Sequence, residues 1–531
     1  MCGGRSFYME LLKKNIHTER VKSKAFLQIP LETDINVSDA KPDVARVIYN
    51  SGKIKVDEIK TGMNKIWVKG RLCYQLLYKA EGGNDTLAGM DGELPFMEEV
   101  YLDKIEGQDR VICRTHLEDL RVHIINSRKL SIQSVITLEP RVEESISEEL
   151  CVELGGDEHG DAGEKLEYRK KSLDYLETAV KKRDLLRIHE ETKLPAGMPD
   201  IGVALWKNAQ ISNISFRPMD EKLDISGEMN VFVVYKEDNT DKINWYETMV
   251  PFKGSVECQN SSESMLEDVT YEIGHEELAI REDSDGELRI IGIEMTIELE
   301  IKLYGKESTS IVADVYGVSC EVDAEIDTKQ FKDLLAEVNM EEKLSKNIRL
   351  EDSEPKLLQI CHCDARAKLA DAVFKDQQIT LSGEVELQIL YASNEEGGGL
   401  CPVKETVAFE ISKELPEMEG AQIDQYAVSV MIPQQTASIK DSSQLEWRGT
   451  INIRVLVYNT KNEDILTGIN IRPIDSDVLE KLPGFAIYYA KQGDSLWQIG
   501  KKYYVSVQRI KEMNNLTKDE IKAGDKILIV K

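Results

Sequence analysis

The residues best able to do chemistry are sparse in this chain. Seven histidines and nine cysteines are spread over 531 residues. The tightest grouping is Cys361-His362-Cys363. Structural zinc favours ligand pairs two to four residues apart, with a second pair elsewhere. Here the spacing is tighter and no second pair follows. His362 falls where Tyr49 and Trp206 stand in two other copies of an internal repeat, so the triplet reads as packing at a module edge. Gly397-Gly398-Gly399 lies in a hairpin connection and does not lead into a helix bearing Lys-Ser or Lys-Thr, as a phosphate-cradling loop would. Asp43 and Asp200 each follow a proline, where a carboxylate commonly orders a turn. No convergent acid, base and nucleophile emerge. The sequence predicts a protein that is not an enzyme, with no catalytic residue, no metal site and no cofactor.

The elements carrying these residues occur three times. The copies open at Pro42, Pro199 and Pro355; a glycine stands 28 residues after each proline (Gly70, Gly227, Gly383), and a tyrosine eight residues later (Tyr78, Tyr235, Tyr391). Around each glycine the alternate positions are apolar: Ile66, Val68, Leu72, Tyr74, Leu76, Tyr78; Leu223, Ile225, Met229, Val231, Val233, Tyr235; and Ile379, Leu381, Val385, Leu387, Ile389, Tyr391. Period two predicts a long strand with one face in a core. The inward glycine marks a bulge, a bend or a close crossing. Polar loops at Glu81–Asn84, Glu237–Asn239 and Asn394–Gly399 predict hairpins to strands bearing Phe96, Phe252 and Phe409. A later alternating strand (Leu130–Leu138, Ile291–Ile301, Leu445–Val457) shifts by about one residue in the second copy.

The fold expected is mainly β. Three tandem β-sandwich-like modules occupy 31–150, 195–305 and 350–460, joined by helices, and a small α+β (βααβ) domain closes the chain at 485–531. Residues 1–30 form an N-terminal segment, 151–194 a charged linker and helix, 306–349 a connecting helical segment and 461–484 a linker. The Lys/Glu/Leu-rich stretches 165–191 and 327–348 read as amphipathic helices. With apolar strands in each module, the three are expected to fold independently.

Apolar residues make up 41% and the net charge is −29, which suits globular domains and excludes nucleic acid and anionic membrane as natural partners. The scattered, odd-numbered cysteines suggest a reducing compartment. Neither a signal peptide nor a transmembrane segment is visible.

The last 45 residues break the repeat. Ser495 and Gln498 make a capping box, Ser506 caps a second helix, and Thr517 with Glu520 suggests a third cap stopped by Gly524. Gly493-Asp494-Ser495-Leu496, Ile499, Tyr503–Ser506, Ile510–Leu516 and Ile521–Ile527 closely resemble the LysM pattern. That resemblance implies a groove for N-acetylglucosamine polymers between two loops. The residues placed there are Gly493, Asp494, Ser495, Leu496, Trp497, Leu516, Thr517, Ile521 and Lys522. Trp497 reads equally as a groove aromatic or as core, and Asn514 as a loop-fixing side chain. The run Thr33–Asp43 followed by the Gly-to-Tyr strand resembles the SPOCS domain, and SPOCS repeats followed by LysM is the layout of SipL-like spore-coat morphogenetic proteins. Lys356 departs from it where the other copies have Asp.

The resemblance implies a non-catalytic spore-coat scaffold in the mother-cell cytoplasm, at the forespore surface, partnered by the coat morphogenetic ATPase and other coat proteins. The alternative is a cell-wall-associated protein whose LysM domain binds peptidoglycan or another N-acetylglucosamine glycan. Lys501, Lys502, Arg509, Lys511 and Lys522 make this tail locally basic, which favours an acidic protein surface.

Overall fold

The computed structural model describes residues 7–8, 11–82, 86–155, 166–238, 240, 242–393, 399–419, 423–475 and 483–530. Parts of the three hairpin loops, the acidic stretch after Gly155 and residues 476–482 of the last linker lie outside the described residues.

After the two-residue strand β1 (Phe7–Tyr8), strand pairing sorts the chain into three alike modules. In the first, β8 (Lys129–Leu154) carries β2 (Leu11–Lys24) and β3 (Leu27–Asn36) along one side and β7 (Val111–Asn126) on the other. β4 (Val44–Gly62), β5 (Lys65–Ala80) and β6 (Leu87–Tyr101) form a second antiparallel sheet. The second module repeats this. β14 (Leu288–Gly317) lies between β9 (Leu166–Lys193) and β13 (Leu266–Glu282), and a second sheet holds β10 (Ile201–Met219), β11 (Lys222–Glu237) and β12 (Ile243–Glu257). In the third, β20 (Gln444–Pro473) lies between β15 (Cys320–Arg349) and β19 (Ile423–Asp441), beside a sheet of β16 (Gln359–Lys375), β17 (Gln378–Ser393) and β18 (Gly399–Glu414).

The Gly-to-Tyr strands are β5, β11 and β17, each 16 residues long. Every alternate apolar residue named above for them is buried. They face the apolar sides of β8, β14 and β20, so the two sheets of each module share a core. The copy-two shift has a local cause. The turn into β14, Asp283–Glu287, is longer than the tight turns entering β8 and β20, and Gly286 takes φ +80° within it. Leu130, Ile291 and Leu445 then fall in step, each two residues after Arg128, Arg289 and Ser443.

Two expectations are overturned. The stretches read as helices, 165–191 and 327–348, are strands β9 and β15 over their described residues, the expected helical segment 306–349 is the end of β14 followed by β15, and strand also takes most of 11–30 and residues 461–473 of the expected linker 461–484. Their Lys/Glu-rich composition reflects ribbons solvated on one side. The alternation Leu173, Tyr175 and Leu186, Ile188 is what packs, and pairing along the whole of β14 outweighs helical propensity.

Nor are the modules separate beads. β5 and β6 pack on β10, β12 on β16, and β18 returns to β4, closing a ring. At its centre Tyr49, Trp206 and His362 hold equivalent places opposite Leu77, Val234 and Leu390. Tyr49 meets Trp206 at 4.9 Å and His362 at 5.8 Å, and His362 stacks on Phe232 at 4.1 Å.

Beyond the ring, the far halves of β2/β8, β9/β14 and β15/β20 run on as three ribbons. They meet through Ile16, Leu150, Leu173, Ile311, Phe331 and Ile465, then through Cys151, Val312, Val315, Cys320, Leu466 and Ile469. β1 pairs with β20 at Asn470 and Ile471, so the first strand joins the third module.

The C-terminal domain has β21 (Phe485–Tyr489) antiparallel to β22 (Lys526–Val530), with α1 (Leu496–Tyr503) and α2 (Val507–Asn514) between them, as expected. Among the described residues no helix is long and apolar enough to cross a membrane.

Candidate functional site

The repeat's signature residues prove to be construction. Tyr78, Tyr235 and Tyr391 each donate to the carbonyl of the proline 36 residues earlier, at 3.1, 2.9 and 2.8 Å. Each repeat glycine pairs with the repeat phenylalanine: Gly70 with Phe96, Gly227 with Phe252, Gly383 with Phe409. A Cβ on these glycines would stand 2.5–2.6 Å from the phenylalanine ring and 2.2–2.5 Å from a carbonyl oxygen of the neighbouring strand, which is irregular at that level. The expected bulge and close crossing thus coincide.

Asp43 and Asp200 accept from arginines at the entry of the neighbouring strand: Arg128 at 3.0 Å, and Arg289. In module three both members change, to Lys356 and Ser443. Ser443 occupies the arginine's place, its carbonyl accepting from Leu350 as those of Arg128 and Arg289 accept from Val37 and Leu194.

Cys361-His362-Cys363 is divided among different surroundings. His362 lies between modules with Nδ1 2.8 Å from Glu247. Cys361 packs in the central cluster. Cys363 donates to Gln435 at 3.4 Å inside its own module. Burial pushes both thiols up. Among the described residues, no three His, Cys, Asp or Glu side chains gather as metal donors.

The loops of the C-terminal domain are held from below. Ser495 and Gln498 form the expected capping box and Ser506 caps α2. Left-handed Tyr504 and Asn515 end the two helices at φ 56° and 53°. Asn514 is the loop-fixing residue expected: it donates to the Ile510 and Leu528 carbonyls and accepts from Leu528 N, all at 2.7–2.8 Å. Ala490 joins the bases of the two loops, donating to the Asp525 carbonyl at 2.9 Å and accepting from Gly524 N at 2.7 Å. Thr517 and Glu520 do not start a helix; that stretch is bends, closed by Lys522 N to the Asp525 carboxylate at 2.8 Å.

The groove residues divide between two tasks. Gly493 turns the first loop at φ +92° with open space around it. Asp494 accepts from Lys491 N and the Tyr488 hydroxyl, both at 2.8 Å, and these bonds hold its carboxyl below the usual range. Thr517 and Lys522 are exposed. Leu496 is core, with Ile499, and Leu516 and Ile521 pack partly against that core. Trp497 is not part of that core. It turns out of its own domain and donates to Asp314 of β14 at 2.7 Å. Sequence reasoning missed Asp314 because it lies 183 residues away, on a ribbon expected to be helical. Lys501 also binds Asp314, and Lys511 binds Asp519, both at 2.6 Å, so two of the lysines that make this tail basic are already paired.

Comparison with family models finds the LysM domain at residues 488–530 and the SipL, SPOCS domain at 43–125 and 200–281. No solved structure matches. The SPOCS matches begin at Asp43 and Asp200, the two aspartates with an arginine partner. The third module keeps the Pro–Tyr and Gly–Phe contacts and has replaced the Asp–Arg pair. The chain thus carries the SPOCS domain of SipL in two of its three modules, followed by a C-terminal LysM domain.

Proposed function

We propose that this chain is a non-catalytic scaffold of spore-coat assembly. It acts from the mother-cell cytoplasm at the forespore surface, where it docks to the coat morphogenetic ATPase and other coat proteins. SPOCS and LysM domains fit a coat-associated protein of sporulation that carries a peptidoglycan-binding type of module. The observation that carries the scaffold reading is the role of the repeat's signature residues. Pro–Tyr and Gly–Phe in all three modules, and Asp–Arg in two of them, are spent on holding the modules in shape, which leaves their outer surfaces to partners. In this reading each module is a two-sheet sandwich, and the ring presents the modules in fixed relation. The locally basic LysM tail then serves an acidic protein surface, with electrostatics setting the rate of encounter.

The LysM match itself favours a second reading, in which the loops Gly493–Trp497 and Leu516–Lys522 hold an N-acetylglucosamine glycan. Pull-down from sporulating cells with the full chain, and with a chain ending before Phe485, separates the two. Loss of the coat ATPase on truncation supports the scaffold. Saturable binding of the full chain to purified peptidoglycan, with no ATPase recovered, overturns it, as would general wall staining in place of a rim around the forespore.

A further inference from the structure

The LysM domain is fastened to the ribbon end of β14 by a compact set of contacts. The Asp314 carboxylate accepts from Trp497 Nε1 through one oxygen at 2.7 Å and from Lys501 Nζ through the other at 2.6 Å. These donors stand four residues apart on α1 and so share a face. Tyr316, two residues on and hence on the same side of the strand, meets the Trp497 ring edge-on at 4.8 Å and donates to the Val505 carbonyl at 2.9 Å. Gly500 makes room for it; a Cβ there would stand 2.6 Å from the Tyr316 hydroxyl. Arg169 of β9 lies over the Trp497 ring at 5.5 Å, and Tyr504 bonds to Glu321. Burial works against an ionised Asp314, yet Lys501 and Trp497 outweigh it and hold the carboxyl low.

We infer that the strand end Asp314-Val315-Tyr316 is an intramolecular strap that occupies the α1 face of the LysM domain and gates the loop Gly493–Trp497. The gating follows from shared use. Trp497 ends the loop that faces ligand, and its indole N–H is committed to Asp314. A ligand that needs Trp497 must displace the strap, and its apparent affinity is reduced by the fraction of molecules that are undocked. A segment that presents a carboxylate two residues before an aromatic ring, on extended backbone, is the competitor that fits. The inference rests on the reading of that loop as a ligand-capturing surface.

The full chain carries five tryptophans, so 5-fluorotryptophan labelling gives five fluorine signals, and Trp497→Phe assigns the one that matters. In Asp314→Asn, and independently in Lys501→Met, the Trp497 signal should move toward the solvent position and become accessible to a soluble paramagnetic quencher. The other four signals staying in place serve as the control for folding. Binding of the coat ATPase and of a chitin hexamer is measured on the same proteins, and whichever binds should do so about tenfold more tightly in both variants. A Trp497 signal that stays protected in both variants overturns the strap, as does release without any gain for a ligand that binds the parent. Release with neither ligand binding any form overturns the ligand reading of the loop and leaves the strap standing.

Discussion

Glu19 offers the sharpest test of how the first two modules are joined. Glu19 and Glu143 of module one close on Lys302 of module two, with side-chain exposures of 6%, 4% and 3%. Tyr304 donates to Glu19 at 2.7 Å and Lys181 stands at 3.0 Å. Burial alone would push the Glu19 carboxyl up, but Lys302, Tyr304 and Lys181 outweigh it and bring it from 4.5 to about 2. A folded pKa below the unfolded one means stabilisation that is complete above about pH 4.5 and fades as pH falls toward 2. At roughly 1.36 kcal/mol per pH unit, the full effect is about 3 kcal/mol. Glu19→Gln keeps an acceptor for Tyr304 and removes the charge, so it should cost about 2–3 kcal/mol near neutral pH. Equilibrium urea unfolding of parent and variant, at about pH 7 and about pH 3, measures the gap. At the lower pH it should shrink to under half. An equal deficit at both pH values, or none near neutrality, would refute the ionic account of this boundary.

Gly227→Val forces a side chain into the space of the Phe252 ring and the Asn213 carbonyl and should cost about 1–3 kcal/mol. Gly484→Val, where nothing lies within 4 Å, should be neutral in the same melt. Arg289→Ser leaves Asp200 without its buried partner and should cost about 3 kcal/mol; adding Asp200→Lys, which copies module three, should recover part of it, as a double-mutant cycle would reveal. Because the modules share three buried layers, calorimetry should show them unfolding together; separate transitions for single modules would count against the ring.

The strands nearest each glycine were legible because period two, a fixed Pro–Gly–Tyr spacing and a following phenylalanine all agreed. The LysM helices were legible for a similar local reason, since Ser495, Gln498 and Ser506 announce them within a few residues. What failed was non-local. The Lys- and Glu-rich ribbons β9 and β15 have helix-like composition, and only a partner strand about a hundred or more residues away makes them extended. Trp497 could not be placed for the same reason: its partner belongs to another domain. The central role of His362 was half visible, in its alignment with Tyr49 and Trp206, but not that the three would meet.

The pairing of β1 with β20 imposes an order on how this chain matures. Phe7 leaves the ribosome more than 460 residues ahead of its partner Ile471. Synthesis at about 5–20 residues per second leaves that strand waiting tens of seconds, and bringing such distant segments together carries a loop-closure cost that local hairpins avoid. The first two modules can emerge and collapse early, but the seam that joins the start of the chain to the third sheet closes only at the end. A chain cut short before Gln444 would therefore keep β1 unmatched and leave β15 and β19 without the strand that lies between them, the kind of unfinished edge that invites another copy to fill it.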